Sequence, residues 1–115
     1  MGVRVRNITS EAILAETADI ADTSAKRRTG LLRHQSLPAG SGLWIVPCEA
    51  VHTFGMKFAI DVVYLNKRRK VLKIRHNMVP RRISGCLRAH SVLELPAGTA
   101  ESTETKPGDM LDFER

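Results

Sequence analysis

Apolar and polar residues alternate from the start of the chain. Residues 3–8 read V-R-V-R-N-I, the period of two that marks a half-buried strand. Thr9-Ser10-Glu11 is a polar turn and A-I-L-A-E over 12–16 returns, which predicts an N-terminal hairpin. The pattern changes over 19–33. Asp22-Thr23-Ser24 offers N-cap residues, Ala25 to Arg28 are helix-compatible, and Ile20, Leu31 and Leu32 supply apolar positions. One main helix is expected near residues 20–33. Ser36 to Gly42 is rich in turn residues, and Leu43-Trp44-Ile45-Val46 is a short strand stopped by Pro47. F-A-I-D-V-V-Y-L over 58–65 is the strongest strand signal. A charged turn at 66–69 leads to its hairpin partner at 70–74. Val92 to Leu95 is a further strand, a helical turn is placed within 99–105, and Met110 to Phe113 is the last strand.

Strands dominate, and helices do not alternate with them. The expected architecture is mainly β: an antiparallel sandwich or barrel of about seven strands carrying one helix, with an α+β fold as the alternative. The 115 residues suit a single domain over 1–115. Hydrophobic residues make up 43% and aromatics only 4%, so the core must be mostly aliphatic.

Charge changes the picture less than its size suggests. The net charge is +6, partly clustered in Lys26-Arg27-Arg28, Lys67-Arg68-Arg69-Lys70 and Arg81-Arg82. Such clusters attract phosphate-rich or acidic partners, yet solvated turns and helix ends explain them as well. Aromatics do not interleave with them: Trp44, Phe54, Phe58 and Tyr64 sit in apolar segments. Nucleic-acid binding is therefore disfavoured. No apolar run approaches the roughly 20 residues of a membrane span. The charged N-terminus lacks a signal peptide's apolar stretch, so a cytoplasmic location is expected. Asn7-Ile8-Thr9 matches a glycosylation sequon, taken as chance without a secretory signal. Two cysteines, Cys48 and Cys86, are too few for a disulfide framework and are expected as thiols.

Several spaced motifs carry a resemblance. Arg27-x-x-Gly30-Leu31-Leu32-x-His34 leads to Ser36-Leu37-Pro38-x-Gly40-x-Gly42-Leu43. Phe54-Gly55-Met56-Lys57, Ile60 to Leu65, Val92-Leu93-Glu94-Leu95-Pro96-Ala97-Gly98-Thr99 and Gly108-Asp109 follow. In order and spacing the chain resembles domain of unknown function family 192, a prokaryotic family, from about residue 20 to residue 112. It is similar to a compact branch with His-Thr-Phe before Met-Lys, here His52-Thr53-Phe54. Gly55 stands where the family often has an aromatic, and the family's Asn-Thr stretch after Met-Lys is missing, so no role tied to that stretch carries over. The resemblance implies a compact, mainly β fold and no established activity, substrate or cofactor.

Candidate chemistry lies in polar residues embedded in apolar segments: His52, Lys57, Asp61 and Glu94. Asp61 interrupts the run from Phe58 to Leu65, where both faces are apolar, and a buried carboxylate must be paired, hydrogen-bonded or neutral. It either ties strand to loop through backbone N–H groups or an arginine, or serves a pocket. Glu94 repeats the pattern, with Val92 on its side and Leu93 and Leu95 on the other. Arg27 or Arg82 could pair with it, or Asp61 could form a carboxylate pair with it if the two strands face. Lys57 either reaches a ligand anion or snorkels from an apolar edge. Cys48 and His52, four apart, could meet Cys86 as a weak candidate metal set. Thiolate and imidazole suit zinc, but the spacing lacks a C-x-x-C signature, and no cofactor is predicted.

Three functions follow in order. The first is a binding module for an unidentified small ligand or protein partner at His52, Lys57, Asp61 and Glu94. The second is a hydrolytic or metal-assisted enzyme using Cys48, His52 and Asp61. The third is a basic domain for nucleic acid or an acidic partner.

Overall fold

The computed structural model describes residues 2–115. The opening alternation forms β1 (Gly2–Asn7), which buries Val3, Val5 and Asn7 and exposes Arg4 and Arg6. It pairs antiparallel with β2 (Ala12–Ala21), as the hairpin pattern predicts. β2 runs on to Ala21 because Ile20 and Ala21 pair in parallel with Trp44 and Ile45 of β3 (Ser41–Ile45). The helix expected over 20–33 is correspondingly short: α1 spans Ser24–Thr29. Thr23 caps it by accepting a 3.2 Å bond from the Lys26 amide. Gly30, at a φ of 48°, ends it by donating to the Lys26 carbonyl.

The chain continues through β4 (Ala50–His52), β5 (Ile60–Leu65), β6 (Val71–Met78), β7 (Ile83–Gly85), β8 (Ser91–Pro96), α2 (Thr99–Ser102) and β9 (Leu111–Glu114). Seven strands form one sheet in the order β6-β5-β8-β3-β2-β1-β9, and these are the seven segments whose patterning predicts strands. All neighbours are antiparallel except β2 and β3, which the α1 crossover joins. The sheet curls until its edges touch. Val71 donates to the Asp109 carbonyl at 2.8 Å, and Leu111 donates to the Arg69 carbonyl at 3.0 Å. β4 and β7 pair only with each other, as a two-stranded flap.

The central strands are buried on both faces, which is why β5 and β8 read as nearly continuous apolar runs. Inside the curl, Trp44, Val63, Leu65, Leu93 and Leu95 meet Val3, Val5, Leu14 and Leu111. On the outer face, Leu43, Ile45, Val62, Tyr64 and Val92 are covered by Leu31, Met56, Val51, Cys48 and Cys86 from the connections. Asn7 of the apparent sequon is wholly buried, so the folded chain offers no glycan acceptor there. Its amide donates to Asp109 Oδ2 at 2.9 Å and Thr105 Oγ1 at 3.2 Å. Its carbonyl oxygen takes the Thr9 and Ser10 amides, fixing the first turn against the lead-in to β9. Among the described residues no helix is long and apolar enough to cross a membrane.

Candidate functional site

Glu94 projects from the middle of β8, level with Leu43 of β3 and Val62 of β5. Strand alternation sends it to the outer face with Val92, while Leu93 and Leu95 enter the enclosed core. Two connections approach above it and touch near Leu32 and Gly55. One is α1 with Leu31 and Leu32. The other is the segment from Pro47 to Met56, which contains β4. Between them lies a cleft of about 440 Å³, with Arg27, Arg28 and Leu31 on one side, Cys48 and His52 on the other, and Glu94 at the floor.

The second wall is held by backbone bonds that its sequence makes possible. The Cys48 amide donates to the His90 carbonyl at 2.9 Å, and the Cys86 amide donates to the Glu49 carbonyl at 2.8 Å. β4 then pairs with β7 through Ala50–Gly85, Val51–Ser84 and His52–Ile83. Thr53 pins the end of the flap: its buried hydroxyl donates to the Val79 carbonyl at 2.7 Å and accepts from the Arg82 amide at 2.9 Å. Gly55 follows at a φ of 83°, with Leu32 Cδ2 3.5 Å from where a Cβ would sit. A left-handed residue packed against the opposite wall explains why glycine stands here.

The electrostatics of the floor are unusual. Glu94 is only 4% exposed, and no hydrogen bond or ion pair among the described residues reaches its carboxylate. Burial alone pushes its carboxyl up to about 7 from an ordinary 4.5. Burial also pushes the Cys48 thiol up; the negative charge of Glu94 adds to that shift and the positive charge of Arg27 opposes it. Arg27 itself bonds the Asp22 carbonyl at 3.2 Å and Ser24 Oγ at 3.5 Å, not a carboxylate.

The structure brings together two of the four polar residues singled out in the sequence. His52 and Glu94 line the cleft. Lys57 is exposed and outside the lining. Asp61 lies on the other face of the sheet: in register it pairs with Leu95 while its neighbour Val62 pairs with Glu94, so the two carboxylates point to opposite faces. The conjectured carboxylate pair therefore does not form. Asp61 takes the Asn77 amide at 2.9 Å on one oxygen, and the Gly98 and Ala100 amides at 3.1 and 2.8 Å on the other. It is the tie between strand and loop that backbone bonding allowed. Nor do Cys48, His52 and Cys86 assemble as a metal set. Among the described residues no three His, Cys, Asp or Glu side chains converge for an ion, and both cysteines are free thiols. Cys48 Sγ donates to the Ala50 carbonyl at 3.1 Å rather than to His52.

Sequence reasoning did not place Arg27 and Arg28 on the cleft wall, because only the crossover brings α1 over β8. It also passed over Tyr64 and Ser84, two buried hydroxyls under the flap that neighbour each other and find no other partner among the described residues. Tyr64→Phe is accordingly expected to change stability by no more than about 1 kcal/mol, since it relieves the desolvation of one buried hydroxyl but leaves Ser84 without its neighbour. A thermal melt showing a loss well beyond about 1 kcal/mol would mean that the phenol holds a strong bond in the folded chain.

Comparisons place this geometry in a family. A relative, UPF0127 protein PF1050 of Pyrococcus furiosus, is 29% identical over 119 aligned residues, covering 95% of this chain and 97% of its own length. Two crystal structures share the fold at 24% identity each. A protein of unknown function from Novosphingobium aromaticivorans superposes with a TM-score of 0.83, over 97% of this chain and 84% of that one. A "putative transcription regulator" from Sinorhizobium meliloti superposes with a TM-score of 0.87, over 98% and 94%. The model of DUF192, an uncharacterised ACR, matches residues 5–113. With the motifs from Arg27 to Asp109 set in this curled sheet, the chain belongs to the DUF192 family.

Proposed function

We propose that the protein is a small-ligand binding module whose site is the cleft between α1 and β4. The observation that carries this reading is the buried Glu94 carboxylate, which opens on the cleft and has no partner among the described residues. A buried polar group of this kind is stabilised only by a hydrogen-bonding partner, and a ligand seated against it would supply one. The cleft volume lies within the usual range for small-molecule sites, and its walls combine apolar surface with a few polar groups. A cytoplasmic location goes with this reading, because free thiols persist in a reducing compartment.

The alternatives gain less support. A nucleophile needs an ionised thiol, and burial drives the Cys48 thiol the other way. Asp61, the third member of that enzyme reading, is committed to three backbone amides on the far face. The basic clusters occupy separate segments, on α1, in the β5–β6 turn and before β7, and the aromatic pair that meets one of them, Trp44 and Phe113, is already stacked on Arg69. The test is a fragment screen read by amide NMR shifts on the intact chain. Perturbations should gather at residues 24–32, 47–56 and 94. Hits that cluster elsewhere, or none at all across the library, would count against the cleft.

A further inference from the structure

The cleft lining holds an acid, Glu94, and two cations, Arg27 and Arg28, that do not pair with each other. Among the described residues Glu94 has no cation within hydrogen-bonding reach, and Arg27 is bonded only to a carbonyl and a hydroxyl. Arg28 is exposed on the same wall and joins no ion pair with Glu94. The Cys48 thiol feels both the Glu94 and the Arg27 charges, whereas only burial moves Glu94. Arg27 and Glu94 thus line one cleft without pairing. The same lining includes the apolar side chains of Leu31, Ile45, Val51 and Met56.

A ligand with one charge would satisfy only half of this arrangement. An anion alone would suit the arginines and leave the carboxylate unpaired. A simple amine would pair with Glu94 and leave the guanidiniums facing water. We propose that the cleft takes a small zwitterion, a molecule with an ammonium group for Glu94, a short aliphatic spacer for the apolar wall, and an acid group for Arg27 and Arg28. This rests on the reading of the cleft as a binding site and names its ligand class.

The charged and titratable groups facing Glu94 are Arg27 and Arg28 from α1, Cys48 and His52 from the flap side, and Tyr64 from the neighbouring strand. An ammonium group requires Glu94 ionised, so affinity should rise from pH 6 to pH 8. A ligand that accepts a hydrogen bond from the neutral acid would show the reverse.

The experiment is calorimetric titration of the intact chain at pH 8 with 4-aminobutanoate and 6-aminohexanoate. Butylamine and butanoate serve as one-ended controls. At least one amino acid should bind about tenfold tighter than either control, the effect of a single added charge-assisted bond. Glu94→Gln should erase the advantage over butanoate, and a joint Arg27→Gln, Arg28→Gln change should erase the advantage over butylamine. The arginine variant alters only partly or fully exposed side chains, so it keeps the test valid even if Glu94→Gln perturbs the core. Equal affinities for butylamine and the amino acids, with amide shifts still at the cleft, would overturn the zwitterion and leave the binding site standing. No binding by any of the four compounds would also overturn it, and the fragment screen then decides separately whether the cleft binds anything.

Discussion

Asp61→Ala lowers stability by about 4 kcal/mol, measured as a shift in urea midpoint at unchanged slope. The carboxylate accepts three backbone N–H groups, and no other acceptor is placed to take them. Two of those amides, Gly98 and Ala100, form the start of α2, and Gly98 adopts a φ of 93° to present its N–H. The third belongs to Asn77, also in the left-handed region at a φ of 47°, where β6 departs from regular pairing with β5. The side chain thus holds two left-handed backbone turns against one strand. Removing it leaves three donors to find water or go unpaired. A loss of about 4 kcal/mol is a large share of the roughly 5–15 kcal/mol that stabilises a domain. Asp61→Asn should lose less, because one oxygen survives in place. A midpoint shift worth under about 1 kcal/mol in the alanine variant would show that these turns hold their shape without the carboxylate.

Glu94→Gln should act in the opposite direction and only at higher pH. The folded chain keeps the Glu94 proton up to about pH 7, while an ordinary carboxyl loses it near 4.5. Between those values the unfolded state binds fewer protons, so stability falls by about 1.4 kcal/mol for each pH unit. The deficit is absent below the lower value and complete above the upper one, at about 3 kcal/mol. Glutamine cannot ionise, so the variant escapes the deficit. Its buried amide still lacks partners, which limits the net gain to about 2 kcal/mol at pH 8. Denaturation curves at pH 4 and pH 8 would check the sign: equal stability at pH 4, with the variant ahead at pH 8. A wild-type chain that is the more stable one at pH 8 would mean that the carboxylate already has a favourable partner. A residue that weakens the fold at neutral pH is the kind retained for function rather than for folding.

Both carboxylates stand out in the sequence because each interrupts an apolar strand. Alternation gives the face of each within its own strand, and both assignments agree with the structure. Their relation across strands depends on register, with Val62 rather than Asp61 level with Glu94, and no periodicity reveals that offset. The same limit applies to the flap. Ala50-Val51-His52 and Ile83-Ser84-Gly85 are too short to show a period, so the wall they form was not visible as strand. The helix was legible through its cap at Thr23 but not in its length. The residues expected to extend it, Ile20 and Ala21, are held in β2 by parallel pairing with residues over 20 positions away. Arg27 read as a surface charge or as an ion-pair partner for Glu94; its place on the cleft without that pairing follows from the crossover, not from its neighbours in the chain.

The pairing of β1 with β9 joins the first and last strands, with Asn7 level with Leu111. Such a contact closes a loop of nearly the whole domain, and it raises the average sequence separation of contacts that slows folding. During synthesis β1 can hairpin with β2 at once, but its other edge must wait until every remaining strand has been made. Until then one side of the hairpin stays unpaired, a template for strands of other chains. The charged residues that alternate along β1, Arg4 and Arg6, guard that edge during the wait, before they settle on the solvent face of the finished sheet.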